Sequence, residues 1–144
     1  MGIARRLQSG QMTVELAVAF PVLVIVAVIS VNALTFFADC AAFDRIAHEA
    51  VRVHVASPAY RQGQGQSCAL VEQEIRSAFD RDNLEVAVSH EAAGFDFEAY
   101  TATLSFAPTL FGMGMRAEVL GVPLPRLVHS TVCVVDVYKA GVVI

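Results

Sequence analysis

Hydrophobic residues are distributed unevenly along the chain, and most of the excess lies near the N-terminus. Between Leu16 and Ala38, about 23 residues, the sequence carries no charge. As an α-helix this segment would measure roughly 34 Å at about 1.5 Å per residue, enough to cross a hydrocarbon core of about 30 Å. From Leu16 to Ile29 it lacks the polar face that a helix of a soluble domain normally has. The pattern therefore predicts a transmembrane helix.

The helical pattern continues beyond this segment, now with two distinct faces. We predict one helix from about Thr13 to Ala56, ended by the Pro- and Gly-containing segment SPAYRQGQGQS. Its apolar stripe is expected to pack against the rest of the chain, with neighbouring subunits as the alternative. The stripe comprises Phe36, Cys40, Phe43, Ala47, Ala50 and Val51, and the opposite side mainly Asp44, Arg45, His48, Glu49 and Arg52.

The remaining residues have the pattern of a small α+β domain. The segment CALVEQEIRSAF predicts a short amphipathic helix with Ser67 as its N-cap and Val71, Ile75, Ala78 and Phe79 on one face. Two alternating segments around a turn at Gly94 predict a hairpin, and RLVHSTVCVVDVY predicts a third, central strand. PTLFGMGMRAEVLGVPLP is expected to be a loop or edge segment. The sheet is thus antiparallel, with about three or four strands; the inward residues of its hairpin are Leu84, Val86, Val88, Tyr100, Ala102, Leu104 and Phe106.

Composition and charge argue against one class of function, nucleic-acid binding. The chain is 56% hydrophobic and 17% charged, with a net charge of −4. A nucleic-acid-binding protein would normally have a basic face, and the ten Lys and Arg residues form no cluster. No nucleic-acid partner is expected.

Flanking charges predict the orientation of the apolar helix. Arg5 and Arg6 precede it, whereas Asp39 and Asp44 follow it, so the N-terminus should stay cytoplasmic and the head should be extracytoplasmic. The apolar core is too long for a cleaved secretory signal, and FFADCAAFD offers no clean site of small residues. Asp39 also disfavours a lipoprotein site at Cys40. The helix is expected to remain attached to the head.

One acid lies at the edge of the apolar segment. Glu15 taken alone could simply rest at the headgroup level or offset the helix dipole. Its context is more informative, because a basic leader ends at Gly10, Gln11 follows, and Glu15 is the fifth residue after the glycine. With Pro21 near the start of the helix, GQMTVELAVAFPVLVIVAVISV resembles the N-terminus of the TadE-like family, pseudopilins of the tight-adherence (Flp-type IV) pilus. The resemblance covers about residues 8 to 55.

The resemblance implies a division of the chain and a role. Residues 1–10 would be a prepilin-like leader, 11–56 the transmembrane and stem helix, and 57–144 the extracytoplasmic head of a type IV pilin-like lollipop. The implied partners are other pilins or pseudopilins, inner-membrane platform proteins, a prepilin peptidase and membrane lipid. If the peptidase cuts after Gly10, Glu15 is expected to pair with the new Gln11 amine of a neighbouring subunit, while Pro21 bends the helix.

Two other function classes are weighed against this structural one. A signal-anchored binding domain would use its head to recognise a ligand and its helix only as a tether. A membrane-anchored enzyme would need a catalytic constellation, and we identify none. His48 and His54 are six residues apart, roughly 240° around a helix, so they do not match the zinc-binding spacing of four. No cofactor or metal site is predicted.

Three cysteines outside the cytoplasm, with Cys40 on the stem, leave one without an intramolecular partner. A bridge between Cys68 and Cys133 would close a loop of about 65 residues and contribute a few kcal/mol. Pairing of Cys40 with Cys68 is a further alternative. The three side chains could also be reduced and buried as small hydrophobic groups.

Overall fold

The computed structural model describes residues 3–55, 63–94, 97–112, 114–115, 117–119 and 121–136, with side chains from Met12 onward. Helix α1 spans Ile3–His54, 52 residues without interruption. It begins ten residues before the predicted start at Thr13, because the leader is rich in residues that favour helix and Gly10 alone does not break it. The long apolar helix is confirmed, and at about 1.5 Å per residue it is roughly 78 Å long. The predicted end, Ala56, lies outside the described residues.

Helix α2 spans Gln64–Ala78, and its N-cap is Gly63 rather than Ser67. Ser67 lies inside the first turn and is only 4% exposed, so the N-cap prediction was wrong. The helix starts earlier because the side chain of Gln66 reaches back to the Gly63 N–H at 3.4 Å. Val71, Ile75 and Phe79 are buried as predicted, whereas Ala78 is exposed.

Three strands form the main antiparallel sheet: β1 (Leu84–Ala92), β2 (Phe97–Phe106) and β5 (Leu127–Asp136). The strand order is β1-β2-β5, which confirms the hairpin but places β2 in the centre. The prediction of a central third strand was therefore wrong, because a β-branched sequence does not by itself distinguish a central strand from one with a single neighbour. Two short strands, β3 (Glu118–Val119) and β4 (Val122–Pro123), form a separate hairpin within the predicted loop.

One face of the sheet packs against both helices. The alternation predicted for β2 is confirmed, with Tyr100, Ala102, Leu104 and Phe106 all buried. Helix α1 contributes four of the fifteen buried residues of the core, so the core crosses the predicted boundary between residues 56 and 57. These four are Phe43, Ala47, Ala50 and Val51.

The two ends of the sheet lie at different heights along α1. At one end Phe106 pairs with Leu84 and Leu127, and its ring lies 5.7 Å from that of Phe36. We call this the proximal end. Phe97 and Asp136 pair at the other end of β2 and β5, nine residues or about 30 Å away at about 3.3 Å per residue. The strands thus run along the C-terminal half of α1, away from its apolar N-terminal half.

Candidate functional site

Residues 12–27 of α1 form a large, mostly exposed apolar surface. Among the described residues, Met12–His54 is a helix long and apolar enough to cross a membrane, and only 6% of its most apolar window is buried. Met12, Leu16, Phe20 and Leu23 are each more than 60% exposed. The rest of the described chain does not cover this surface, so only lipid or another protein can remove it from water.

The predicted assembly residues lie at the start of this surface. Gly10 and Gln11 are part of α1, and the structure describes their place in the helix but not the side chain of Gln11. Glu15 is exposed and follows Gln11 by four residues, so both lie on the same side of the helix. An amine created at Gln11 would therefore lie about one helical turn from the carboxylate.

Pro21 lies inside α1, which continues on both sides of it. A proline lacks the N–H that would bond the carbonyl four residues earlier, here that of Ala17. Ala17, Ala19 and Pro21 are exposed, so a neighbouring helix could approach this part of α1 closely. The bend at Pro21 stays a prediction.

Sequence reasoning missed Asn32, which links the apolar helix to the head. Its Nδ2 donates to the carbonyls of Val28 and Thr109, both at 2.8 Å, while its Oδ1 accepts from the Thr109 N–H at 2.9 Å. Asn32 is 6% exposed, Thr109 8% and Val28 4%. The available signal was a single asparagine in an otherwise apolar segment, since a polar residue there normally has a specific partner.

Two histidine–carboxylate contacts also connect α1 to the head. Nε2 of His129 on β5 lies 2.7 Å from Asp44 Oδ1, and Nε2 of His54 lies 2.6 Å from Glu74 Oε2 on α2. Asp44 is thus half-buried against β5, not on the outer side of α1 as predicted. Arg45, Glu49 and Arg52 are exposed on that side as expected.

A cleft of about 560 Å³ opens at the proximal end, between α1 and the head. Its lining includes Asn32, Thr35, Arg81 and Arg126. Arg81 donates to Asp39 Oδ1 at 2.5 Å, and the other oxygen of Asp39 is buried without a hydrogen-bond partner among the described residues. Arg126 pairs with Glu85, and Asp80 and Asp82 complete the charged lining of the cleft.

The histidines do not converge on a common site. His48 Nδ1 lies 2.7 Å from the carbonyl oxygen of Asp44, one turn earlier in α1, and His90 stacks on Tyr100 at a centroid distance of 6.0 Å. Within the described ranges no group of three or more His, Cys, Asp or Glu side chains could hold a metal ion.

All three cysteines are free thiols in the structure, and the Cys68–Cys133 pairing stays a prediction. The thiol of Cys68 donates to the carbonyl of Val88 on β1 at 3.4 Å, whereas Cys133 lies on β5.

We expect the thiols to differ in reactivity in the folded protein. Burial raises the pKa of Cys133, which is 1% exposed, and burial followed by the Glu72 carboxylate raises that of half-buried Cys68. Maleimide at neutral pH should therefore label Cys68 slowly and Cys133 only after unfolding. Mass spectrometry of labelled, non-reduced peptides measures both; a linked Cys68–Cys133 peptide would contradict the described arrangement.

Comparisons of the chain with protein-family models, with curated proteins and with solved structures gave no match. The resemblance to TadE-like pseudopilins therefore rests on the N-terminal sequence pattern and stays a hypothesis.

Proposed function

We propose that the chain is a structural assembly subunit: a membrane-inserted, TadE-like minor pilin (pseudopilin) of a tight-adherence type IV pilus or related secretion system. It would contribute to pilus biogenesis, adhesion or secretion. The observation that carries the proposal is the single helix α1, whose N-terminal half is exposed and apolar while its C-terminal half belongs to the core of the head. A helix that only tethered the head would need no such rigid continuity with the core.

Glu15 supplies the specificity of assembly in this proposal. In lipid, apolar helices gain little from associating, so close packing of small residues and pairing of polar groups decide which helices join. Placing a charged carboxylate and a charged amine in a low-dielectric surrounding costs much less free energy when the two groups are paired than when each is alone. Neighbouring helices would then stop at the register where Glu15 of one subunit meets the Gln11 amine of the next.

Processing and orientation complete the proposal. A prepilin peptidase would cut between Gly10 and Gln11 on the cytoplasmic side, and the head would lie outside the cytoplasm. Since this peptide bond lies within α1, the helix must open locally before cleavage. Glycine weakens a helix by about 1 kcal/mol relative to alanine, which favours opening at Gly10.

The decisive experiment is the substitution Glu15→Gln. We expect the variant to insert into membranes normally, while its recovery in complexes with other pilin-like subunits falls by more than about tenfold. Breaking a buried ion pair costs about 3–5 kcal/mol, and about 1.4 kcal/mol corresponds to a factor of ten. Cross-linking followed by affinity recovery measures assembly, and the N-terminal residue of the recovered protein reports cleavage.

Glu49→Gln is the matched control, because Glu49 is exposed on the same helix but beside the head. It should assemble as the unchanged protein does. Normal assembly of Glu15→Gln would overturn the register role.

The rival, a tethered binding domain, is favoured by the cleft at the proximal end. Replacing residues 3–27 with a leucine–alanine helix separates the two functions. A tethered binder would keep its activity, whereas a pilin subunit would lose its partners.

A further inference from the structure

The loop that follows β2 is apolar and lies close to the membrane-directed half of α1. We call residues 107–112 and 114–115 the proximal loop; the sequence APTLFGMGM from Ala107 to Met115 contains no charge. Phe111 is 47% exposed and Met115 55% exposed, at the end of the head where β2 leaves the core. Exposed residues of this size are costly in water but favourable in lipid.

The proximal loop is fixed to α1 at a defined height. The side chain of Asn32 forms hydrogen bonds with both the N–H and the carbonyl of Thr109. Phe111 lines the cleft together with Val31 and Thr35. At the start of the loop the Ala107 N–H donates to the carbonyl of Asn83 at 2.8 Å. The loop therefore cannot move away from the level of Asn32 without breaking these bonds.

Helix geometry places that level inside the bilayer. Asn32 follows Glu15 by 17 residues, or about 26 Å at about 1.5 Å per residue. A hydrocarbon core of about 30 Å that begins at Glu15 ends near Thr35, and a tilt of about 20° moves this limit only about one residue further. The proximal loop lies below this limit.

A hydrocarbon core that lies closer to the N-terminus of α1 is less favourable in free energy. If the hydrocarbon core ended before Val28, its other surface would lie near residue 7 and Glu15 would be about 12 Å inside, close to the bilayer centre. A charged carboxylate there costs about 2.5–3.5 kcal/mol before any pairing with the Gln11 amine. The charge distribution therefore favours a membrane that includes the level of Asn32.

The loop backbone is partly shielded by the head and α1. Irregular backbone is tolerated at membrane depth only where it is buried in protein or lines a water-filled cavity; Pro108 and Thr109 are buried, and Phe111 and Gly112 line the cleft. The Leu110 N–H donates to the carbonyl of Met115 at 2.8 Å, and the Ala117 N–H donates to that of Pro108 at 3.1 Å. Phe111 and Gly112 have positive φ angles of 50° and 76°, which close the loop tightly.

Charged groups lie next to this level, since Arg81 and Arg126 share the cleft lining with Asn32 and Phe111. Asp39 is the first charged residue of α1 after Glu15, and it pairs with Arg81, while Arg126 pairs with Glu85 at 2.5 Å. Such pairs suit the headgroup region, with apolar side chains below them.

We propose that the proximal loop is a second membrane contact, which inserts Phe111 and Met115 into the acyl-chain region of the outer leaflet beside α1. This inference rests on the proposed function only in taking α1 to span the membrane. The head is then seated in the bilayer surface and held there by Asn32, and extraction of a subunit must remove the loop from lipid as well as the helix.

Single tryptophans test this directly, because the chain contains none. Phe111→Trp and Met115→Trp are prepared in the full chain and reconstituted in phosphatidylcholine vesicles, with and without lipid brominated in the upper acyl chain. Phe20→Trp marks the span, and Phe97→Trp marks the distal end of the sheet, about 30 Å from the loop. Circular dichroism confirms folding, and Met115→Trp serves if Phe111→Trp misfolds.

We expect the tryptophans at 20, 111 and 115 to emit at shorter wavelength and to lose most of their emission to bromolipid, and the one at 97 to be unaffected. Quenching at 20 without quenching at 111 and 115 would overturn the loop insertion and leave the span intact. A blue shift at 111 without quenching would mean that a neighbouring subunit covers the loop, which also overturns it. Absence of quenching at position 20 would contradict the assignment of α1 as a transmembrane helix, and with it the proposed function.

Discussion

A fragment beginning at residue 57 should fail to fold, whereas one beginning at Val28 should adopt the native head. The difference is expected because the core of the head includes the C-terminal half of α1. Without it, the buried face of the sheet and the inner face of α2 would lose the layer that covers them. We therefore expect that residues 57–144 alone are not an independent folding unit.

The size of the effect follows from burial. Phe43 and Val51 are at most 1% exposed, and burying such side chains contributes about 1.5–3 kcal/mol each. Ala47 and Ala50 add smaller amounts, and the surfaces of α2 and the sheet that these residues cover contribute a similar sum. The total is on the order of 10 kcal/mol, comparable to the whole free energy of unfolding of a domain, about 5–15 kcal/mol.

Both fragments are compared in the same mild detergent, since the longer one retains exposed apolar residues such as Leu34 and Phe37. Near-ultraviolet circular dichroism and amide hydrogen exchange measure native packing. The fragment from Val28 keeps Asn32 and should show slow exchange in β2. A cooperative urea transition in the fragment from residue 57 would show that α1 is dispensable for the core.

The elements of the head followed from periodicity because each has one buried face. Alternation from Tyr100 to Phe106 and the spacing from Phe43 to Val51 both match the buried sides found in the structure. A core residue cannot move to the opposite face of its element without exposing its neighbours. Local pattern was therefore sufficient to predict these helices and strands.

The contacts between distant segments could not be derived in this way. Asn32 and Thr109 are 77 positions apart, and the Asp44–His129 pair spans 85. A polar residue in a pattern indicates that it needs a partner but not which one. The order of the strands likewise depends on how the chain returns to the sheet after β4. The hydrophobic pattern of β5 does not indicate which strand it will pair with.

The residues of the candidate site likewise differ in whether local sequence could predict them. Gly10 and Glu15 were proposed from a pattern within two helical turns of the sequence, and their role in assembly stays a prediction. The proximal loop escaped notice because its sequence reads as an irregular connection, and only the bond to Asn32 brings Phe111 to the level of the apolar helix. A membrane contact of this kind depends on the tertiary structure.

Phe43→Ala should be the most destabilising single truncation on α1. Its ring is 0% exposed and lies 5.8 Å from that of Phe79 and 6.2 Å, edge-on, from the imidazole of His129. Removing a buried phenylalanine side chain costs about 3–5 kcal/mol, because the cavity is only partly filled by relaxation. At about 4 °C per kcal/mol, the value between the ranges for smaller and larger domains, the Tm should fall by about 12–20 °C.

Phe37→Ala is the matched control, on the same helix and one and a half turns before Phe43. Phe37 is 67% exposed, so its truncation leaves no cavity and should change the free energy of unfolding by less than about 0.5 kcal/mol. Thermal unfolding of the full chain in detergent, followed by near-ultraviolet circular dichroism, measures both variants. Equal Tm values for the two would mean that Phe43 does not contact the head. A large difference would place the stem helix within the cooperative unit, since a helix docked only loosely would melt separately and leave the transition of the head unchanged.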